Sequence, residues 1–536
     1  MEADKPENNK ERKKQQPIAV ILEAIKEIDG IQINFCKNPL CSNFNVPYTG
    51  HRKDPNYKRK GSTLAPRPSG QISKDKNITS HPAMGRAGDS SPNIVCQSCN
   101  EQPPLKSNHG INEVLKLWSY HPDNKACPNN NCVNHSVDIG VKGAYKRNGK
   151  TKAGSPRWLC KACGSSFVER AKNRPSREGE TPWRYIDVVR AIVNYTPIRR
   201  MKELYDVYPA TAYHYINKAY DACLRFNAAR ESRLQKVLSE RGEVYLATDR
   251  QELLINWQDR KNRNAISIKA VCSIDTETKF VYRYDLGIDE HTDAEMIHEA
   301  SLENGDVDKA YLYRQYPHLV LPSDMSEERR ISGYIEQELF NIKRQDPDIG
   351  DVELSYLEAQ MRPDVELPSF QFTHGTGLPH NCLILREDYQ LYAHYVALSK
   401  FMPDDVRAIN FADQESGLRA AFMSAFADKV QNNKAHLFYI KYKKGVVQDE
   451  RNQAAARTRV RINKVIERYD CDYETAKQIL CIASIRNKTI PVGKWKDLWG
   501  NHPVERKTEV GKAFSHQTYN PKQSDYEIGH YLSKAI

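Results

Sequence analysis

The chain has 536 residues, enough for several domains that each bury a core. Its 80 Lys and Arg outnumber 68 Asp and Glu, and the net charge of +12 favours a polyanionic partner such as nucleic acid. No apolar run reaches the roughly 18 residues of a membrane span, and the amino terminus lacks a signal-peptide core. These features predict a cytoplasmic, multidomain protein with no membrane partner.

Eight of the thirteen cysteines come in close pairs, which in a reducing compartment indicates metal binding rather than disulfides. They form two sets: Cys36, Cys41, Cys96 and Cys99, and then Cys127, Cys132, Cys160 and Cys163. Four thiolates make the closed tetrahedral site of a structural zinc ribbon. We therefore predict two structural Zn²⁺ ions. His135 is an alternative ligand, although a spare polar histidine is its favoured role.

The two cysteine sets belong to an internal duplication. Tyr57-Lys-Arg-Lys-Gly61 in the first unit corresponds to Tyr145-Lys-Arg-Asn-Gly149 in the second. This match predicts one fold used twice, as zinc ribbon 1 at 31–104 and zinc ribbon 2 at 105–175, after a charged tail and short helix at 1–30. The Lys-Arg pairs within the repeats could contact phosphates or lie on solvated hairpins.

Residues 180–235 contain three amphipathic segments with tight links, which predict three short helices and a helix-turn-helix. If the third is the recognition helix, one face packs inward through Ala212, Tyr215, Ile216 and Ala219. The opposite face would meet double-stranded DNA through Thr211, Tyr213, His214, Asn217 and Lys218. A protein-interaction or plain packing module is the alternative.

The segment 243–288 has the Val, Ile, Tyr and Phe runs of an antiparallel strand meander, and Asp249 ends its first apolar run. Strand and helix patterns return after 402, where Asp413 ends a further strand. We predict one α/β domain from 241–304 and 402–490. Residues 305–401 are predicted as an insertion and 491–536 as a carboxyl-terminal tail.

Phosphodiester chemistry uses two divalent ions about 4 Å apart, and Mg²⁺ prefers carboxylate oxygens. Asp249, Asp413 and a glutamate on the following helix provide such ligands. Glu450 is the best placed of four candidates, the others being Glu467, Glu474 and Glu505. A basic stripe on the helical face of Glu450 would contact the DNA backbone through Arg457, Arg461 and Lys464. A turn residue at Asp249, a helix cap at Asp413 and a dipole-favoured glutamate at Glu450 are the alternatives.

In order and content these segments resemble the DDE transposases of bacterial insertion sequences, whose catalytic domain has a ribonuclease-H-like fold. In the insertion-sequence-one type the catalytic glutamate precedes an Arg-Thr-Arg, and Glu450 followed by Arg457-Thr458-Arg459 is similar. The resemblance implies a DDE triad of Asp249, Asp413 and Glu450 that binds two Mg²⁺ or Mn²⁺ ions. It implies an α/β multidomain protein, with a ribonuclease-H-like mixed sheet flanked by helices and preceded by two zinc ribbons and a helix-turn-helix.

The expected function is that of a nucleoid-associated transposase. It would bind element ends as a homo-oligomer on DNA and catalyse metal-dependent strand cleavage and strand transfer. Two zinc units where one is usual, and the insertion at 305–401, depart from the family pattern. The alternatives are a DNA-binding regulator with an inactive nuclease fold, and a nuclease that cuts without joining.

Overall fold

The computed structural model forms two compact units, one of Met1–Leu117 with Arg241–Ile536 and the other of Trp118–Glu240. The residues that it describes are 22–51, 53–60, 92–119, 127–129, 132–134, 139, 143–151, 156–168, 182–256, 265–289, 292–306, 309–321, 343–344, 382–413, 415–441, 447–487, 490–492, 497–501, 513–518 and 522–535.

The first unit begins with a helical turn at 22–25, the described part of the predicted amino-terminal helix. Strand β1 (Tyr57–Lys60) then pairs antiparallel with β2 (Asn93–Cys96), and helix α1 (Asn108–Ser119) follows. Apolar side chains of this region share one core with residues much later in the chain: Phe35, Phe44, Tyr57, Leu312, Met423 and Ala427. The region predicted as zinc ribbon 1 therefore shares its core with later parts of the chain.

The described part of the second unit contains a three-stranded antiparallel sheet and three α-helices. The strands are β3 (Tyr145–Lys150), β4 (Pro156–Cys160) and β5 (Ser166–Val168). The helices are α2 (Pro182–Val193), α3 (Met201–Tyr205) and α4 (Pro209–Arg241). The helices share a small apolar core, formed by Val188, Met201, Val207, Ala212 and Tyr215. This is the three-helix packing that the sequence predicted.

Helix α4 is much longer than the short third helix that we predicted. It has 33 residues and ends just before Gly242, which takes a left-handed conformation with a φ of +73°. Pro209 can begin a helix because the first turn needs no amide hydrogen-bond donor. No glycine or proline follows before Gly242. The prediction followed the apolar stripe, whereas the Ala, Leu, Arg, Lys and Glu residues beyond it favour helix without one.

The α/β body continues in the first unit. Its first elements are β6 (Glu243–Asn256), β7 (Ala265–Asp275), β8 (Val281–Leu286), β9 (Ile288–Asp289), α5 (Ala294–Glu303), β10 (Leu383–Ile384) and α6 (Glu387–Phe401). The first three strands are the predicted antiparallel meander. Asp293 caps α5 by accepting hydrogen bonds from two amides of its first turn.

The later elements complete the same body. They are β11 (Arg407–Ala412), α7 (Ser416–Ala425), α8 (Ala427–Gln431), β12 (Ala435–Lys441), α9 (Gln448–Tyr469), α10 (Tyr473–Asn487), β13 (Ile490–Val492), β14 (Asp497–Asn501), β15 (Ala513–His516) and α11 (Asp525–Ser533). Strand β11 ends directly before Asp413, where the sequence predicted the end of a strand.

One sheet of eight strands organises the body, in the order β13-β14-β15-β12-β11-β6-β7-β8. Strand β11 is parallel to both β6 and β12, and the other neighbours are antiparallel. Parallel neighbours need a crossover, and the helices α6 and α7 lie in the segments that lead to β11 and β12. The result is a mixed α/β sheet with helices.

The two sheet faces have different partners. One face packs on α10 and α11 through a cluster that includes Tyr245, Phe411, Phe438, Cys481 and Tyr531. The other face meets α6, whose buried residues His394 and Tyr395 hydrogen-bond to side chains of β7 and β11. Because side chains alternate along a strand, Asp249 lies on the face of Tyr245, and Arg250 lies on the face of α6.

Two segments that we predicted outside the α/β domain are part of it. Within the predicted insertion 305–401, helix α6 is buried against the sheet, whereas 322–342 and 345–381 lie outside the described residues. The predicted tail 491–536 supplies three strands of the sheet and helix α11. We assigned them outside the domain because α6 buries polar and apolar residues alike, without an amphipathic stripe, and because the strands β13 to β15 are short.

Candidate functional site

The four sulfur atoms of each predicted cysteine set converge. Within each set all four lie within 4.8 Å of one another, and the closest pairs are 3.3 to 3.6 Å apart. A tetrahedron with Zn–S bonds of about 2.3 Å has edges of about 3.8 Å. Each set could therefore bind one zinc ion, as the sequence predicted. His135, the alternative ligand, lies outside the described residues.

The duplication extends to hydrogen bonds around the sulfurs. The Tyr57 hydroxyl accepts from the amide of Cys36 at 3.0 Å, and the Tyr145 hydroxyl accepts from the amide of Cys127 at 2.9 Å. An asparagine side chain donates to the third sulfur of each set, Asn43 to Cys96 at 3.3 Å and Asn134 to Cys160 at 3.4 Å. The two units thus share one local scaffold.

The surroundings of the two sets differ at the residue five positions after the third cysteine. In the first set this is Glu101, whose carboxylate accepts from Cys36 Sγ at 3.0 Å and pairs with Arg419 at 3.2 Å. Burial, and then this carboxylate, raise the pKa of Cys36. In the second set it is Ser165, whose hydrogen bond lowers the pKa of Cys163 to about 6.

Asp249 and Asp413 are neighbours across two parallel strands. Thr248 of β6 is in register with Ala412, the last residue of β11, and the two aspartates come directly after this pair. Both side chains are exposed, and alternation places them on the same face of the sheet. Neighbouring strands are about 4.8 Å apart, so the two carboxylates offer hard oxygen ligands side by side.

Asp249 does not end its strand, contrary to the prediction. Strand β6 continues for seven residues to Asn256, paired with β7 along its whole extension. The prediction failed because polar residues such as Arg250 and Glu252 break the apolar run, although the antiparallel ladder to β7 stabilises the strand. What ends beside Asp249 is the neighbouring strand β11.

Glu450 lies in the first turn of α9, and its side chain is exposed. Among the described residues, only the two cysteine sets bring three or more ligand atoms within 4.8 Å of one another, so Glu450 is not in a closed cluster with the aspartates. Of the alternatives, Glu467 is exposed on α9, Glu474 pairs with Lys477 at 3.0 Å, and Glu505 lies outside the described residues.

Sequence reasoning missed Arg250, which stands next to Asp249 on the opposite face of the sheet. Its guanidinium makes ion pairs with Glu387 at the start of α6 and with Glu415 at the start of α7. Glu415 follows Asp413 by two residues. Arg250 therefore ties the strand of one aspartate to the chain just after the other. The sequence signal for this contact was a basic residue at a position that strand alternation places on the inward face, because a buried basic side chain requires an acidic partner.

Sequence reasoning also missed a buried polar network beneath this edge. Ser273 bonds to His394 Nε2 at 2.7 Å, and His394 Nδ1 bonds to Asp285 at 2.6 Å. Burial would raise the pKa of Asp285, but hydrogen bonds from His394 and Arg283 hold it below its usual value. The order resembles a hydrolase triad, but Ser273 and His394 are fully buried. The network is structural, since no substrate reaches its serine.

The predicted recognition face of α4 is exposed as expected, at Thr211, Tyr213, His214, Asn217 and Lys218. The predicted inward residues Ala212 and Tyr215 are buried, and Ile216 and Ala219 are half-buried. On α9, Arg457 and Lys464 are exposed and Arg461 is half-buried, while Ile462 packs against Ala476 of α10. Each helix therefore presents polar side chains that could contact DNA.

Comparison with protein-family models, with curated proteins and with solved structures found no match for this chain. Within the described part of the chain, none of the helices combines the length and apolar character needed to cross a bilayer. The features that bear on function are therefore the cysteine sets, the aspartate pair and the two polar helix faces.

Proposed function

We propose that the chain is a DDE-type DNA transposase that cuts and joins DNA strands with divalent ions. The observation that carries this proposal is the pair Asp249 and Asp413, exposed side by side where β11 ends. Two adjacent carboxylates on neighbouring strands are a natural bridge for metal ions that act on phosphodiesters.

The sheet order supports a ribonuclease-H-like catalytic domain. Part of the sheet has the order β8-β7-β6-β11-β12, in which β6, β7 and β8 form an antiparallel meander. On the other side of β6 lie β11 and then β12, and both are parallel to β6. This is the strand arrangement expected of that fold, with α6 before the fourth strand, α7 before the fifth and α9 after it. Asp249 lies on β6, the middle strand of the five, and Asp413 directly follows the neighbouring strand β11.

The donor set fits Mg²⁺ or Mn²⁺, because Asp249 and Asp413 offer exposed carboxylate oxygens. Glu450 would supply a third carboxylate from α9. Bound ions would activate the attacking hydroxyl and neutralise the leaving oxygen. The chain's own basic residues on α9, Arg457, Arg461 and Lys464, would hold the DNA backbone near this edge.

In the same proposal the other regions bind rather than react. The exposed face of α4 would read the element ends, and the two cysteine sets would each hold a structural Zn²⁺. Two or more copies would act together on paired DNA ends, as a nucleoid-associated homo-oligomer.

The test is strand transfer by the full chain, with a labelled duplex carrying the DNA that flanks the coding sequence and with Mg²⁺ or Mn²⁺. We expect joined products from the wild type, and a loss of at least a hundredfold in Asp249→Asn and Asp413→Asn, because each removes a metal ligand. Asp404→Asn is the matched control, since Asp404 is an exposed aspartate that lies before β11, at the opposite end of this strand from Asp413.

The products separate the candidate functions. Cut but unjoined DNA would indicate a nuclease, and bound but uncut DNA would indicate a regulator with an inactive nuclease fold. The regulator is the second candidate because the described carboxylates do not form a three-ligand cluster. Equal activity in the wild type and both aspartate variants would refute the proposed active site.

A further inference from the structure

The first turn of α7 is held from two sides. Glu415, the residue before the helix, makes no capping hydrogen bond with its side chain and instead pairs with Arg250. One turn later, Arg419 pairs with Glu101 in the first cysteine unit. The start of α7 therefore connects the β6 edge with that unit, and all four residues belong to the same compact unit of the chain.

In the first cysteine unit, Arg419 contacts two groups next to Cys36. Its guanidinium donates to the carbonyl oxygen of Lys37 at 3.2 Å and to Glu101 at 3.2 Å, and Glu101 lies 3.0 Å from Cys36 Sγ. Glu101 is 2% exposed and Arg419 is 9% exposed. Water screens such buried charges poorly, so the position of each depends strongly on the other.

On the carboxylate side, the distances along the chain are short. Asp413 precedes Glu415 by two residues, and Arg250 directly follows Asp249. Arg250 also pairs with Glu387 at the start of α6, which fixes its guanidinium between two helix ends. A shift of the first turn of α7 would therefore move Asp413 relative to Asp249.

We propose that Arg419 is a positioning residue through which the first cysteine unit controls divalent-ion affinity at Asp249 and Asp413. Its guanidinium is held at 3.2 Å by Glu101 and at 3.2 Å by the carbonyl oxygen of Lys37, next to Cys36, and these contacts hold the first turn of α7 in place. The inference rests on the proposed function, because it assigns the aspartate pair to divalent ions.

The second cysteine set provides the contrast within the same chain. Its counterpart of Glu101 is the neutral Ser165, which bonds to Cys163 at 3.1 Å. The neutral Ser165 cannot form an ion pair with an arginine, so the second set lacks the connection that Glu101 provides in the first. Coupling of this kind is therefore specific to the first set.

The test measures Mn²⁺ affinity of the full-length, zinc-loaded protein by electron paramagnetic resonance. Glu101→Gln and Arg419→Met should each weaken Mn²⁺ binding by at least fivefold, within the usual range of coupling between sites. Arg419→Lys, which retains the positive charge, should recover part of the affinity. Ser165→Ala is the matched control and should leave Mn²⁺ affinity within twofold of wild type.

Two further variants separate failure of this inference from failure of the proposed function. If Asp249→Asn and Asp413→Asn bind Mn²⁺ like the wild type, the aspartate pair is not the ion site and the proposed function fails. If they lose Mn²⁺ while Glu101→Gln and Arg419→Met keep wild-type affinity, only the coupling is refuted. Should Arg419→Met fail to fold, the nearly isosteric Glu101→Gln decides the question alone.

Discussion

The two cysteine units have the same scaffold but different surroundings. In the first, buried Lys106 pairs with Asp388 of α6 at 2.6 Å, and Asn45 donates to Asp428 of α8 at 2.7 Å. In the second, the hairpin residues Lys146 and Arg147 are exposed. A duplicated cysteine unit can thus become part of a larger core in one copy and keep a basic surface in the other.

This difference has an energetic basis. The first unit contributes apolar residues such as Phe35, Phe44 and Tyr57 to a core that also contains Leu312 and Met423. The core of the second cysteine unit is small and consists mainly of its own cysteines with Tyr145. Folding of the α/β body should therefore depend on metal in the first unit alone.

Removing one zinc ligand from each unit should give the largest contrast. Cys96→Ser should destabilise the whole α/β body by several kcal/mol, because zinc binding supplies much of the folding energy of such a unit. Cys160→Ser should unfold the second cysteine unit and leave the α/β body intact. Hydrogen exchange of β6 and β11 amides measures both effects. Equal protection of these strands in the two variants would contradict the comparison.

Breaking the ion pair between Lys106 and Asp388 should have the next largest effect. Lys106→Met leaves a buried carboxylate with only Arg386 as its described cationic partner, at 3.1 Å, and should cost about 3 kcal/mol of unfolding free energy. Lys150→Met, at an exposed position of β3, should change stability by less than about 0.5 kcal/mol. Denaturant unfolding of both variants measures the difference, and similar midpoints would count against docking of the first unit.

Acid should affect the α/β body through buried histidines. Burial lowers the pKa of His318 and of His436 to about 4 from 6.5. Between these values the unfolded chain binds more protons than the folded chain, so stability falls as the pH falls. Each histidine can contribute at most about 3 kcal/mol to this loss.

The histidine effect can be isolated at one position. The His436 ring stacks on Tyr531 at 4.8 Å, and His436→Phe keeps a flat ring there without a titratable group. Unfolding free energies at pH 7 and pH 4.5 should differ less in this variant than in the wild type. An unchanged pH dependence would show that His436 does not titrate on unfolding.

The smallest effect is expected on DNA binding. Arg147→Ala removes an exposed charge in the second unit and should weaken duplex binding by roughly threefold to tenfold, with a salt slope lower by about 0.9. The corresponding Arg59 donates to the Tyr313 hydroxyl at 2.9 Å, so Arg59→Ala should weaken binding less. Filter binding at several salt concentrations compares them. A greater loss of DNA affinity in Arg59→Ala would contradict the prediction that Arg147 contributes more to DNA binding than Arg59.

The parts of the structure that the sequence predicted depend on local patterns. Cysteine spacing identified both four-cysteine clusters, and the alternation of apolar residues in 243–288 identified the meander. The exposed and buried sides of α4 followed from helical periodicity at Ala212 and Tyr215. In each case the residues that decide the structure are close in the chain.

The missing parts depend on contacts between distant residues. Glu101 and Arg419 are 318 positions apart, and each alone resembles an ordinary surface charge. The extension of β6 beyond Asp249 is stabilised by β7 rather than by its own composition. Helix α6 was assigned to an insertion because its burial on all sides follows from the sheet that it covers. Such pairings cannot be inferred from one stretch of sequence.

Metal-directed backbone cleavage tests most directly the proposal that Asp249 and Asp413 share divalent ions. Fe²⁺ replaces Mg²⁺ at such sites and, with ascorbate and peroxide, generates radicals that cut the nearby chain. We predict cuts close to residues 249 and 413 in the wild type, suppressed by excess Mg²⁺ and absent in Asp413→Asn. Cuts that persist unchanged in Asp413→Asn, or none near either aspartate, would contradict the claim.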